Sequence, residues 1–372
     1  MRRLPLSSIE PFLLWLIGTV ALASLLPARG GWGSAVGHMA DIAIALLFFL
    51  HGARLSRTAI AQGMRHWRLH LLVLAATFGL FPVVGMAIAA VGGGLIDPSL
   101  STGLLFLALL PSTVQSSVAF TAMARGNVAA AVCSASLSNL VGIVVTPFMA
   151  TILIGSGRPG EGVSLGSVET IALQLLLPFV AGHLLRPWIG GLIDRYKVLV
   201  QPIDRGSILL VVYSAFGAAV INGIWLRVGW SDLVGLLLLC ALMLAVVVAA
   251  NGLAARAAGL AREDAIVLLF CGSKKSLISG VPMAGALFAP TQVGMIVLPL
   301  MIFHQLQLFV CAVLAARYRA AGEAAAMPLT AEDATAVGTR VGLAIPEPCM
   351  AGVVANLALL DRHAETLRGE TR

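Results

Sequence analysis

The sequence contains ten stretches of roughly 20 mostly apolar residues, the length that an α-helix needs to cross a bilayer. Only 11% of the 372 residues are charged, against about 25% in ordinary soluble domains. A soluble enzyme of this length would need a far larger polar surface. We therefore predict an all-α polytopic membrane protein, with ten transmembrane helices at about 11–27, 36–53, 69–91, 102–124, 128–154, 168–186, 207–226, 233–254, 264–288 and 291–316.

The basic residues predict how these spans are oriented. If the N-terminus is cytoplasmic, nineteen of the 24 Lys and Arg residues lie on the cytoplasmic side, and only Arg29, Arg158 and Arg227 lie outside. Such an excess is typical of cytoplasmic loops, so we expect both termini in the cytoplasm. The net charge of +7 is then explained by topology and by attraction to lipid headgroups, and a nucleic-acid partner is not expected.

The spans divide residues 1–317 into two halves of five helices, at about 11–155 and 168–317. Because each half has an odd number of spans, the second half is inverted relative to the first, which is the design of many secondary transporters. Residues 318–372 are richer in charge and predict a cytoplasmic C-terminal tail that is partly disordered, with a short helix over 350–363.

The fourth span of each half contains helix-breaking and polar residues in its middle. These residues are the run Leu110–Ser117 in span four and the run Gly272–Pro282 in span nine. A helix broken inside a bilayer is tolerated only where protein or a cavity satisfies its backbone, so paired breaks at matching positions indicate a transporter's binding site. The alternative interpretation is that Pro111 and Pro282 only kink two packed helices.

Two adjacent lysines, Lys274 and Lys275, lie in the middle of span nine. A lysine at the centre of a span costs ~2.5–3.5 kcal/mol on insertion scales, and no acidic residue lies at the centre of any predicted span. The ammonium groups must therefore be met by hydroxyls and carbonyls, by a bound anion, or by loss of a proton. Snorkelling of one lysine towards an interface is the alternative.

Hydroxyl and amide side chains accompany the two breaks. Ser134 and Ser138 share one face of span five, beside Asn139. Such a face can supply oxygen ligands to a hard cation, or equally hydrogen bonds between helices. His304 and Gln307 are assigned to packing or interhelical bonds. The predicted substrate- or ion-binding residues are Ser112, Thr113, Gln115, Ser116, Ser117, Ser134, Ser138, Asn139, Ser273, Lys274, Lys275, Ser276 and Ser279.

At these residues the chain resembles the bile acid:sodium symporter (solute carrier 10) superfamily, and within it a bacterial branch related to the seventh member of the human family. The resemblance rests on Phe48–Leu55, Pro111–Ser117, Ala124–Val128 and Gly272–Pro282, and it covers the ten spans but not the tail. It implies discontinuous helices four and nine that cross each other, a location in a bacterial inner membrane, and transport of an organic anion, usually coupled to sodium.

The resemblance also implies a sodium site, formed by a Ser-Asn pair in the fourth helix, hydroxyls in the fifth and a carboxylate in the ninth. The corresponding sodium ligands in this sequence are Ser116, Ser117, Ser134, Ser138 and Asn139. The carboxylate is missing, and Lys274 takes its approximate position. A fixed ammonium could carry the charge of a sodium ion, which would make transport independent of sodium or linked to protons.

These features predict a secondary transporter that moves a small organic anion by alternating access, with Na⁺ or H⁺ as coupling ion and no resident cofactor. Two other classes stay open at this point. One is a regulatory membrane protein that transports nothing. The other is an intramembrane enzyme in which Lys274 activates Ser273 or Ser276, which is disfavoured because adjacent helical residues point ~100° apart.

Overall fold

A computed structural model describes residues 11–54, 66–92, 94–154, 165–324, 330–340 and 342–368. Of these residues 87% are helical, and no strand occurs among them. A bilayer offers no water to the backbone, and a helix satisfies its N–H and C=O groups within its own segment, so apolar stretches of this length become helices. The all-α class predicted from the sequence is confirmed.

The first half of the chain forms helices that coincide with the first five predicted spans. The fourth of these spans is divided into two short helices. The elements are α1 (Pro11–Leu25), α2 (Gly30–Arg54), α3 (Trp67–Ala75), a π-helical turn (Ala76–Leu80), α4 (Phe81–Gly92), α5 (Pro98–Leu109), α6 (Gln115–Met123) and α7 (Val128–Leu153).

The second half follows the same pattern, and its fourth predicted span is also divided. The elements are α8 (Leu165–Arg195), α9 (Lys197–Ile221), α10 (Ile224–Arg227), α11 (Trp230–Ala257), α12 (Arg262–Gly272), α13 (Leu277–Leu287) and α14 (Pro290–Ala324), followed by α15 (Ala331–Arg340) and α16 (Glu347–Arg368).

Seven helical segments within the described residues are long and apolar enough to cross a membrane. They are Gly30–Arg54, Trp67–Ala90, Val128–Leu153, Pro202–Ile221, Trp230–Ala257, Arg262–Leu287 and Pro290–Ala321. The segment Arg262–Leu287 is 94% buried, whereas the others are 33–50% buried. Protein rather than lipid therefore surrounds the segment with the two lysines. The count of ten spans and the inverted repeat stay predictions.

The chain divides into two compact units, Met1–Ala315 and Ala316–Arg372. The first contains α1 to α13 and the whole region of the helix breaks. The second contains α15 and α16, and the short helix predicted over 350–363 lies inside the longer α16.

A π-helical turn interrupts the regular hydrogen bonding between α3 and α4. Phe81 donates its backbone N–H to the carbonyl of Ala76, five residues earlier. The next residue, Pro82, has no N–H to donate to the carbonyl of Thr77. The oxygen of Thr77 is thus left for a donor from another part of the chain.

Glycines allow α2 and α8 to touch backbone to backbone. A methyl group on Gly52 would overlap the carbonyl of Phe179, and one on Gly182 would overlap the carbonyl of Phe49. Close approach through small residues is the usual way in which helices pack in a membrane, where association gains little from the hydrophobic effect. The two glycines are therefore required by the packing of this helix pair.

Candidate functional site

The first helix break lies between α5 and α6, at residues 110–114. Leu110 has an extended backbone, with ψ of 155°. A residue that precedes proline is biased away from the helical region, and Pro111 cannot donate a backbone hydrogen bond. The predicted break at Pro111 is therefore present, and it leaves carbonyl groups at the end of α5 without partners in their own helix.

The second break lies between α12 and α13, at residues 273–276. Ser276 caps the start of α13, because its hydroxyl accepts a hydrogen bond from the backbone N–H of Ser279 at 3.1 Å. Pro282 lies inside α13 and does not form the break. The second break thus follows Gly272 and depends on a serine cap, whereas the first coincides with a proline.

The two breaks contact each other directly. The backbone N–H of Ser276 donates to the carbonyl of Pro111 at 2.9 Å. The hydroxyl of Ser112 donates to the carbonyl of Cys271 at 2.6 Å, and that of Ser117 donates to the carbonyl of Phe270 at 3.2 Å. Each broken helix therefore satisfies backbone groups that the other leaves open, as the bilayer requires.

An amide side chain from the following long helix supports each break. In the first half, the Asn139 side chain donates to the carbonyl of Ser112 at 2.7 Å. In the second half, Gln307 donates to the carbonyl of Lys275 at 2.9 Å and accepts from its N–H at 2.8 Å. The amides lie 27 and 32 residues after the positions they bind. The two breaks are therefore stabilised in a corresponding way.

Lys275 is fully buried, and its ammonium group donates three hydrogen bonds to backbone carbonyls. The acceptors are Thr77 at 2.8 Å, Ala108 at 2.8 Å and Leu110 at 2.6 Å. The ring of Phe81 lies 4.1 Å from Nζ. An ammonium group has three donors, so this set of acceptors uses all of them. Lys275 is thus bound by the protein backbone and does not snorkel.

Lys274 is also fully buried, but its side chain lies elsewhere. Its Nζ lies 4.2 Å from the centroid of the Phe120 ring, on α6 just beyond the first break. An ammonium over an aromatic face is attracted by the ring quadrupole, more strongly where water is excluded. Both lysines are therefore in the interior, as their position in the sequence predicts.

The predicted hydroxyl residues are divided among several small networks. Thr113 shares hydrogen bonds with Ser116 at 2.9 Å and Ser117 at 3.2 Å. Ser138 accepts from the N–H of Ser112 at 3.0 Å, and Ser279 donates to Asn139 at 2.9 Å.

Ser134 and Gln115 take no part in these networks. Ser134 shares a 2.7 Å hydrogen bond with His70, and Gln115 is exposed at the start of α6. The structure therefore brings most of the predicted residues to the breaks, but it does not bring Ser134 or Gln115 into the same bonds.

Several residues that complete the site are not among those predicted from the sequence. Asn251, a lone amide in the apolar α11, donates to Ser273 at 2.9 Å. Its isolation among apolar residues was the available signal. His70 and Thr77 were also missed. Thr77 contributes its main-chain oxygen, which the residue type does not reveal. Pro82 was the available signal, because a proline has no N–H to donate to that oxygen.

The segments that form the two breaks contain no carboxylate side chains. Residues 66–96, 98–154 and 265–322 contain no Asp or Glu. Within the described residues, no group of three or more His, Cys, Asp or Glu side chains could hold a metal ion. Two acids outside these ranges are engaged with other partners: Asp264 accepts from Asn127 at 2.9 Å, and Asp204 pairs with Arg54. The lysines buried at the breaks are thus not matched by carboxylates from these ranges.

Two interrupted helices that contact each other inside an all-helical, multi-pass membrane protein are typical of secondary transporters. Residues 10–320 match the SBF-like CPA transporter family (DUF4137), and the chain belongs to this family. The resemblance to the bile acid:sodium symporter superfamily is thereby confirmed. Because the family is one of transporters, the chain is a transporter and not an enzyme, and the Ser/Lys enzyme alternative is set aside.

Relatives of similar length support this assignment. The chain is 53% identical over 310 residues to the "Uncharacterized protein PA2026" of Pseudomonas aeruginosa, covering 83% of this chain and 92% of that protein. It is 52% identical over 311 residues to the "Putative symporter YfeH" of Escherichia coli, covering 84% and 93%. It is 26% identical over 311 residues to the sodium/bile acid cotransporter 7 of Danio rerio, covering 82% and 92%.

Proposed function

We propose that this transporter carries a small organic anion across a bacterial inner membrane by alternating access, with both termini in the cytoplasm. The observation that carries the proposal is the pair of buried lysines at the contact of two broken helices, in sequence that lacks carboxylates. A substrate with negative charge would balance this buried positive charge. The names of the relatives, a symporter and a sodium/bile acid cotransporter, agree with such a substrate.

The proposed architecture is ten spans in two inverted repeats of five, at about 11–155 and 168–317. The matching positions of the breaks support it, since each falls in the fourth span of its half. The matching amides support it further, because Asn139 and Gln307 each lie on the fifth span of a half and each bind the break that precedes them. Inverted repeats of this kind place the substrate near the membrane midplane.

We assign the anion contact to Lys274 rather than Lys275. The three donors of the Lys275 ammonium are used by three carbonyls, so binding an anion would break bonds that hold the helices together. The Lys274 ammonium lies over Phe120, which is only partly buried. The start of α13 at Leu277 and the start of α6 at Gln115 would add partial positive charge, because half-helix N-termini point their N–H groups outward.

The residues present fit a sodium ion poorly. Of the five sodium ligands suggested by the resemblance, Ser116 and Ser117 bond with Thr113, Ser138 and Asn139 bond with Ser112, and Ser134 bonds with His70. Residues 98–154 and 265–322, which contain these five residues and the two lysines, offer no carboxylate to complete the set. Transport measurements must therefore decide whether the coupling ion is Na⁺ or H⁺.

Uptake into membrane vesicles tests the proposal. A panel of labelled organic anions would be presented with an inward gradient of NaCl, of choline chloride, or of protons. We expect saturable uptake of at least one anion, and we expect Lys274→Ala to reduce it at least tenfold. The Arg256→Ala variant, which removes an exposed basic side chain outside the predicted site, is the matched control and should retain uptake. Unchanged uptake in Lys274→Ala would disprove the assigned role.

A further inference from the structure

The carbonyl oxygens around Lys275 form a cage in which each member has lost its helical partner. Thr77 would be paired with residue 82, which is a proline. Ala108 would be paired with the N–H of Ser112, which instead donates to Ser138. Leu110 has left the helical conformation. Two separate interruptions, the π-helical turn before Pro82 and the first break, therefore direct three oxygen atoms at one point inside the protein.

Such a cage is the type of site that transporters of this architecture use for cations. Unwound backbone carbonyls and the C-terminal ends of half-helices coordinate the coupling ion in many secondary transporters. The same groups surround the Lys275 ammonium, at 2.6–2.8 Å. Phe81 adds its ring face at 4.1 Å, and the side chain is fully buried. The position of a mobile cation is thus taken by a cation that is covalently attached to the chain.

We infer that Lys275 is a tethered monovalent cation that replaces a coupling ion at the contact of the two broken helices. This inference rests on the proposed transport function and deepens it, because it assigns a cation position at the breaks to a residue of the chain. The cage fits an ammonium group, whose radius is close to that of K⁺ and larger than that of Na⁺. The wild-type protein therefore needs no external cation at this point.

A direct consequence is that truncating Lys275 should uncover a binding site for a K⁺-sized ion. In Lys275→Ala the three carbonyls lose their only cation, and three buried acceptors are left to be satisfied. In Lys275→Met an apolar chain fills most of the space of the lysine stem, so no ion can enter. The two variants remove the same charge and differ in the room they leave.

The test is the thermal stability of the purified full-length protein in KCl, NaCl or choline chloride at equal ionic strength. We expect wild-type melting to be the same in the three salts. Lys275→Ala and Lys275→Ser should melt about 5–10 °C lower in choline chloride. Both should recover at least half of this loss in a saturable response to KCl, with a smaller response to NaCl.

Lys275→Met and Lys274→Ala are the matched controls, and neither should respond specifically to K⁺. The inference is overturned if Lys275→Ala and Lys275→Ser respond no more than Lys275→Met. It is also overturned if wild type shows a saturable stabilisation by Na⁺ or K⁺ that Lys275→Met abolishes. If neither truncated variant gives a folded peak by size-exclusion chromatography in any salt, a free cation cannot replace the lysine and the inference fails.

The outcome is separable from the proposed function. If the truncated variants show no K⁺ response while wild type takes up an anion, only the inference of a tethered cation fails. If the truncated variants respond to K⁺ but wild type takes up no anion, only the proposed transport of an organic anion fails.

Discussion

Gln307 stabilises the second break by binding its main chain. Its amide pairs with both the N–H and the C=O of Lys275, and it is completely buried. Those two backbone groups belong to a non-helical segment, so no neighbouring residue of the same helix satisfies them. A single side chain therefore completes the backbone of the residue whose ammonium occupies the carbonyl cage.

We expect Gln307→Leu to destabilise the protein strongly. The exchange keeps the approximate volume but leaves a buried N–H and a buried C=O without partners, each worth about 1–3 kcal/mol. The melting temperature in detergent should fall by about 4–10 °C. Gln305→Leu, at a half-buried position on the same helix, is the control and should shift melting far less. Equal shifts in the two variants would contradict the role of Gln307.

Pro82 and Lys275 should be energetically coupled, because the proline creates the acceptor that the lysine satisfies. Pro82→Ala restores an N–H that can serve the carbonyl of Thr77. The loss of stability in Lys275→Met should therefore be smaller in the Pro82→Ala background, by a coupling energy of about 0.5–3 kcal/mol. Thermal melting of the four proteins of the double-mutant cycle measures this value. Additive losses of stability would show that the carbonyl of Thr77 does not couple Pro82 to Lys275.

At the scale of whole elements, the breaks show what a sequence can and cannot predict. The first break could be placed from Pro111 and its polar neighbours, because proline acts on its own segment. The second could be placed only within Gly272–Pro282, since the serine cap at Ser276 rather than Pro282 fixes it. The contact between the breaks is a hydrogen bond from Ser276 to the main chain of Pro111, and residue types carry no signal for it.

The helix pair α2 and α8 offers an element-scale prediction. Gly52→Ala should abolish or greatly reduce folded protein, because its methyl group would overlap a backbone carbonyl that has no rotamer to move into. Gly37→Ala, on the same helix, has no atom within 4 Å of the new methyl group. This control should keep or raise stability by up to about 1 kcal/mol. Fluorescence-detected size-exclusion chromatography compares the two variants, and equal yields would contradict the backbone contact between α2 and α8.

For the whole molecule, the sequence predicted the class and family, because charge content and apolar length constrain every segment at once. It did not predict the cage around Lys275. Its three oxygens come from segments 165 to 198 residues away from the lysine along the chain, and the proximity of segments so far apart cannot be obtained from local patterns. The candidate site was therefore predictable as a list of side chains and not as an arrangement.

We predict that the chain functions without α15 and α16. The family match ends at residue 320, and the relatives cover 82–84% of the chain. A protein that ends after residue 324, at the end of α14, should remain folded and retain anion uptake within about twofold of wild type, a difference of roughly 0.4 kcal/mol. Vesicle uptake, normalised to protein content, is the measurement. A loss of folded protein would instead assign the tail to the structure of the transporter.

The hydrogen bond from Ser276 to Pro111 has an evolutionary consequence. Its donor and acceptor are both main-chain atoms, so a substitution that preserves the backbone conformation does not delete it. Hydroxyls, amides and even the lysines around the breaks can therefore change while this link is kept. Substrate choice and ion dependence can then differ between relatives while this main-chain contact between the broken helices is retained.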